Sequence, residues 1–178
     1  GTDGTLSVTG SAAAITAAIQ AGITYTPDAN VNGLDALDVA ITDGQATATA
    51  SVAINITPVN DAPVTTPVTL AAIAEDSGPR LITQAQLLAN ASDVDNPSLT
   101  AINLQITSGG GSLDNNGDGT WTYHPALNDD TSVTFNYGVT DGTATVATTA
   151  TLDITPVNDA PVTTPVALAA IAEDSGPR

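Results

Sequence analysis

The chain has 178 residues, with 19 acidic residues against two arginines and no lysine, a net charge of −17 and no cysteine. That balance excludes nucleic-acid binding, because nothing neutralises phosphates, and it excludes disulfides and thiolate metal sites. One Trp, one Phe and three Tyr leave a thin aliphatic core, so stability depends on something besides apolar burial.

Of the acids, 17 are Asp and only Glu75 and Glu173 are Glu. Asp favours turns, caps and metal loops over helical faces. Carboxylates without basic partners repel one another in a compact chain, and a divalent cation relieves that repulsion. The chain carries no signal peptide and no apolar run of membrane length, as expected of an internal fragment.

In chain order, Ser11 is placed to cap a helix over residues 12–19, which Gly22 ends. Leu37, Val39 and Ile41, then Ala50, Val52, Ile54 and Ile56, alternate with polar or small residues on either side of a turn at Asp43-Gly44. Val64 to Ile73 reads as one strand, and Thr83 caps a short helix over 84–89. Ile102, Leu104 and Ile106 alternate next. The stretch 114–119 matches the first half of an EF-hand loop, but its twelfth position is Pro125 where a Glu is required. A polar hairpin leading into a strand with Trp121 and Tyr123 fits better. Val133, Phe135, Tyr137 and Val139 then alternate, followed by a turn at Asp141-Gly142 and by Val146, Thr148, Ala150, Leu152 and Ile154. Short strands with frequent turns indicate an all-β chain of antiparallel β-sandwiches.

Self-similarity is the strongest signal. Thr57 to Arg80 is repeated by Thr155 to Arg178, 98 residues on, with Thr69 becoming Ala167 as the single change. The same offset pairs Thr24-Tyr25 with Thr122-Tyr123, Pro27 with Pro125, and Asp43-Gly44 with Asp141-Gly142. Residues 1–58 therefore read as the later part of one repeat, 59–156 as a complete repeat, and 157–178 as the linker and first strand of a third. Such an array resembles beads on a string.

Strand direction sorts the acids. If the first strand of the repeat runs down and the chain returns through Leu88, then Asn60, Asp61, Asp93, Asp95 and Asp141 gather at one end. Glu75, Asn158, Asp159 and the pair Asp129 and Asp130 gather at the other. Calcium takes six to eight oxygen ligands, and these residues supply them. His124 is the single histidine and lacks partners for a zinc site or a catalytic triad. Gly109-Gly110-Gly111 lacks the Lys and helix of a phosphate loop. The reading that follows is that the chain is not an enzyme.

At these residues the chain resembles the cadherin repeat, and more closely the bacterial cadherin-like repeats of giant RTX-type adhesins. Asn60-Asp61-Ala62-Pro63 resembles the linker D-x-N-D-N-x-P, and Ala91-Ser92-Asp93-Val94-Asp95 resembles A-x-D-x-D. Glu75 and Asp141 stand where the family has its early and late acidic ligands. The resemblance implies tandem Ig/cadherin-like β-sandwiches with Ca2+ at the interdomain junctions, in an extracellular stalk on a bacterial cell surface. Its partners would be neighbouring repeats of the same chain, with no nucleic acid and no membrane insertion. Pro58 and Ala62 depart from the linker pattern, and the family's Asp-Arg-Glu motif has no counterpart, so one or two ions per junction are expected. The alternatives are a glycan-binding module using Trp121 and Tyr123, and a surface- or ice-binding face of Thr143, Thr145, Thr149 and Thr151. Strand donation between molecules through Val162 to Arg178 is a further option.

Overall fold

The computed structural model describes residues 6–174 and residue 176. Among these, strands predominate and the two helices are short. In chain order the elements are α1 (Ala12–Gln20), β1 (Gly33–Thr42), β2 (Thr47–Ile56), β3 (Val64–Thr65), β4 (Val68–Ala74), β5 (Arg80–Thr83), α2 (Gln84–Leu87), β6 (Ala91–Ser92), β7 (Thr100–Ser108), β8 (Ser112–Asn115), β9 (Thr120–His124), β10 (Val133–Thr140) and β11 (Thr145–Thr155). They form sheets in the orders β1-β2, β4-β11-β10-β7, β3-β6 and β5-β9-β8. The residues divide into two compact units. One comprises 1–66, 88–103 and 137–148; the other comprises 67–87, 104–136 and 149–178.

In the first unit, α1 begins as the sequence predicts. The Ser11 hydroxyl accepts from the Ala14 N–H at 3.3 Å, which satisfies one free donor of the first turn. The helix buries no residue. β1 and β2 form an unbroken antiparallel ribbon, from Gly33 opposite Ile56 to Thr42 opposite Thr47. Its apolar side chains find little cover: Leu34 is 87% exposed and Val52 54%. Val64 and Thr65 pair with Ser92 and Ala91, while Ala101, Tyr137, Val139 and Thr148 are buried.

The second unit holds most of the core. Val133 and Phe135 of β10 and Leu152 of β11 are fully buried, on the face that period-two alternation predicts. Tyr123 of β9 meets Phe135 edge to face, with ring centroids 5.6 Å apart and planes at 88°, a favoured aromatic geometry. The Tyr123 hydroxyl donates to the Gly110 carbonyl at 2.9 Å, so its polar tip is satisfied. Thr83 caps α2 reciprocally: its N–H donates to Gln86 Oε1 at 3.0 Å, and its hydroxyl accepts from the Gln86 N–H at 3.4 Å. Residues 114–119 form the connection of the β8–β9 hairpin, with the Asn116 N–H donating to the Thr120 carbonyl at 3.0 Å.

Two expectations need correction. The single strand over Val64 to Ile73 is two, because Thr66-Pro67 interrupts it and Pro67 has no N–H to offer a ladder; β3 pairs with β6 and β4 pairs with β11. The fold is not wholly antiparallel. β4 and β11 are parallel, from Val68 opposite Ala150 to Ala74 opposite Thr155, with an irregularity between Leu152 and Ile154. Strand parity along the chain leaves β4 and β11 running the same way, so their adjacency makes the pair parallel. The alternation over 102–106 holds, with Leu104 buried, Ile102 and Ile106 half-buried, and Asn103 and Gln105 exposed, although Asn103 adopts a left-handed φ of 55°, which Asn tolerates.

Candidate metal centre

The short β3–β6 pair positions the first acidic cluster. Pairing Val64 with Ser92 draws the linker residues Asn60-Asp61 beside Asp93, the residue that follows β6. Asp93 closes a local turn: its Oδ1 accepts from the N–H groups of Asp95 and Asn96, both at 2.8 Å. Asp95 Oδ2 then accepts from the Asp61 N–H at 2.6 Å, and Asn60 Nδ2 donates to Asp141 Oδ2 at 2.8 Å. Asn60, Asp61, Asp93, Asp95 and Asp141, all expected at one end of the repeat, are thus linked through two cross-chain bonds and one turn.

Asp141 is 9% exposed. Its Oδ1 accepts from the N–H groups of Thr143 and Ala144, both at 2.6 Å. The backbone bond from Ala144, then the Asn60 amide and the Thr143 N–H, hold its carboxyl below the usual Asp range. Asn96, which sequence reasoning left out, belongs here too, since its Nδ2 donates to the Asp141 carbonyl at 2.9 Å. An Asn directly after an A-x-D-x-D segment was the available signal.

Whether this donor set suits a hard cation turns on Asp93. Its Oδ2 is buried and has no hydrogen-bond partner. A buried carboxylate oxygen without a donor is costly, and a divalent cation is the partner that an oxygen-only set favours. Among the described residues, however, no three acidic or histidine side chains are drawn round one point as a formed metal group. The carboxylates are linked by shared hydrogen bonds. The residue types and the orphan oxygen fit calcium; the gathering of carboxylates is incomplete.

The second predicted cluster is looser. Glu75 is 7% exposed, and its Oε1 accepts from the Val157 N–H at 2.6 Å while its own N–H donates to the Thr155 carbonyl at 2.9 Å. It clamps the start of the next linker. Asn158 Nδ2 donates to the Asp159 carbonyl at 3.1 Å, the same local bond that Asn60 makes to Asp61 at 2.7 Å. Asp129 instead serves its own turn, accepting from the Thr131 N–H at 3.0 Å and from the Thr131 hydroxyl. Asp130 and Asp159 are exposed. The loop before Asp129 is tied to the Glu75 end through Asp76, whose Oδ1 accepts from the Asn128 N–H at 3.3 Å. His124 Nε2 lies 3.1 Å from Asp114 Oδ2, an exposed pair on the β8–β9 hairpin.

A family profile described as a cadherin-like domain matches residues 3–57 and again 59–155. The chain belongs to the cadherin-like domain family. No curated protein sequence matches it. Among solved structures, this cadherin-like chain is similar to MfFcnA4, an endo-fucoidan hydrolase of glycoside hydrolase family 107. The identity is 21% and the TM-score 0.36, over 74% of this chain and 20% of that one. A second such hydrolase, MfFcnA9, matches at 19% identity and TM-score 0.34, over 72% of this chain and 23% of that one. A chimeric titin Z1Z2 chain matches at 12% identity and TM-score 0.26, over 67% and 60%. The chain thus spans about a fifth of the length of the hydrolases it matches. These matches correct the reading that set an enzyme aside, since the solved chains similar to this one include hydrolases. At such TM-scores the likeness assigns no reaction to any residue here. Among the described residues, no helix is long and apolar enough to cross a membrane.

Proposed function

We propose that this cadherin-like chain is an extender segment of a large bacterial surface adhesin, stiffened by calcium where one repeat meets the next. The observation that carries the reading is the buried, unpartnered Oδ2 of Asp93. It lies in a cluster where the incoming linker is already bonded to Asp95 and Asp141. Asp93, Asp95, Asp141, Asp61 and Asn60 would hold the ion, with Glu75, Asn158 and Asp159 beginning the equivalent arrangement at the following junction. Bound calcium supplies positive charge and a rigid set of oxygen bonds. The residues themselves orient the linker and fix the turns that present their oxygens.

The charge supports the same reading. With a net charge of −17, repulsion among the acidic ends favours a splayed linker, and a divalent ion reverses that local balance. Near-identical repetition of the linker and opening strand suits a spacer, whose task is the same at each repeat. Thermal unfolding in calcium and in chelator tests the proposal. At a calcium concentration about a hundredfold above Kd, binding stabilises the folded repeat by about 2.7 kcal/mol, which raises Tm by on the order of 10 °C for a domain this small. Asp93→Ala should abolish the difference, and small-angle scattering should show the parent chain shorter in chelator. Equal melting with and without calcium would overturn the proposal.

A further inference from the structure

We propose that Asn96 is a positioning residue for the cation site, tying the turn that carries Asp93 and Asp95 to the turn that carries Asp141. The inference rests on the calcium reading above and concerns what holds that site in shape. Asn96 lies in the connection between β6 and β7 and is half-buried. Its N–H donates to Asp93 Oδ1 at 2.8 Å, its Nδ2 donates to the Asp141 carbonyl at 2.9 Å, and its Oδ1 accepts from the Ser98 N–H at 2.9 Å. The bond to Asp141 spans 45 positions in the chain, whereas the others are local. Pro97 has no N–H to offer, so Ser98 carries the first backbone donor after Asn96.

A primary amide suits this place because it carries a donor and an acceptor on one rigid plane. The acceptor keeps the amide in its own turn, and the donor reaches across. Nδ2 meets the main-chain carbonyl of Asp141 and leaves the carboxylate to other groups: Oδ1 accepts from Thr143 and Ala144, and Oδ2 from Asn60. Asp93 spends Oδ1 on the N–H groups of Asp95 and Asn96. The same turn therefore sets the direction of its Oδ2, the buried oxygen without a partner. Tying that turn to Asp141 fixes the separation of the two carboxylates before an ion arrives. Such preorganisation lowers the ordering cost of binding. Asn96 contributes no oxygen to the ion; it fixes where its neighbours' oxygens stand.

Asn96→Asp separates positioning from ligation. It is isosteric, keeps an acceptor for the Ser98 N–H and removes the donor to the Asp141 carbonyl. A residue that held calcium directly would hold it more tightly as a carboxylate, whereas a residue that ties two turns would lose the tie. Calorimetric titration of calcium into the metal-free 178-residue chain should show Kd raised about three- to ten-fold in Asn96→Asp, the worth of one neutral hydrogen bond, with the stoichiometry of the parent. Asn116→Asp adds the same charge in the β8–β9 connection and should leave Kd unchanged. Urea unfolding in chelator checks that each chain is folded under the titration conditions. In the parent itself, hydrogen exchange followed by NMR should find the Asn96 side-chain amide protons slower than those of a solvent-exposed Asn, with calcium and without it. That measurement decides the matter even if Asn96→Asp does not fold. Equal or tighter binding in Asn96→Asp, or exchange in the parent at the rate of a free amide, would overturn the proposal and leave the calcium site standing. A parent that binds no calcium would remove the site and this inference with it.

Discussion

The ribbon over residues 33–56 and its counterpart in the complete repeat have nearly the same pattern of strand, turn and strand, yet they end in different states. Leu152 is fully buried in β11, whereas Ile54, at the equivalent place in β2, is half-buried. Tyr123 is fully buried with its hydroxyl on the Gly110 carbonyl; Tyr25 is 42% exposed and donates to Asp35 Oδ2 at 2.5 Å. The turns, by contrast, are alike. Asp43 Oδ1 accepts from the N–H groups of Gln45 and Ala46, as Asp141 does from Thr143 and Ala144. Local turn chemistry is thus independent of context, while burial follows neighbouring strands: β11 lies between β4 and β10, and β2 pairs with β1.

The sharpest way to break this comparison is to cut the same side chain in both places. Leu152→Ala should destabilise the complete repeat by about 2–5 kcal/mol, the cost of a core truncation with its cavity, as measured by urea unfolding. Ile54→Ala should change that transition by no more than about 0.5 kcal/mol. Equal losses would mean that the ribbon shares the core.

A smaller contrast is expected at the tyrosines. Tyr123→Phe leaves the Gly110 carbonyl without its donor and should cost about 1–3 kcal/mol. Tyr25→Phe exposes the carboxylate of Asp35 to water and should leave unfolding of the complete repeat unmoved. The Tyr25 phenol is held above its usual pKa, first by the hydrogen bond to Asp35, and Asp35 is held below its own by the same bond. A spectrophotometric titration of Tyr25 should therefore show a fall in its pKa in Asp35→Asn.

The smallest effect is a pH slope. The folded-state pKa of Asp141 is lowered, chiefly by the Ala144 N–H. Its contribution is therefore present above the unfolded Asp value of about 3.9 and is lost as pH falls through the lower folded value. Stability of the complete repeat should decline on acidification below about pH 4, and Asp141→Asn should flatten that decline. Asp43, lowered by its bonds from Ala46 and Gln45, sits in the ribbon, so Asp43→Asn should leave the slope of the complete repeat intact. An unchanged slope in Asp141→Asn would remove Asp141 from this account.

Much of this was legible in the sequence because it is written in short-range terms. The Ser11 cap, the Asp-Gly turns and the alternation over Val133 to Val139 each depend on neighbouring residues. The hydrogen bonds from Asn60 to Asp141 and from Asp61 to Asp95 agree with strand parity, but among the described residues no three acidic side chains are drawn round one point. Three features were not legible. The break at Pro67 was visible, but the change of partner strand it permits is tertiary. The parallel pairing of β4 with β11 requires knowing which strands are neighbours. The left-handed backbone angle at Asn103 is not encoded by apolar spacing. Asp129 was assigned to the second cluster by strand direction, and its carboxylate is instead engaged in the Thr131 turn. Asp76 makes the link across that end instead.

The central claim is that Asp93 offers its buried oxygen to an ion. Calorimetric titration of calcium into the metal-free chain tests it most directly. Saturable binding in the parent, lost in Asp93→Asn and kept in Asp130→Asn, is the expected result. Binding that is absent from the parent, or equally strong in Asp93→Asn, would contradict it.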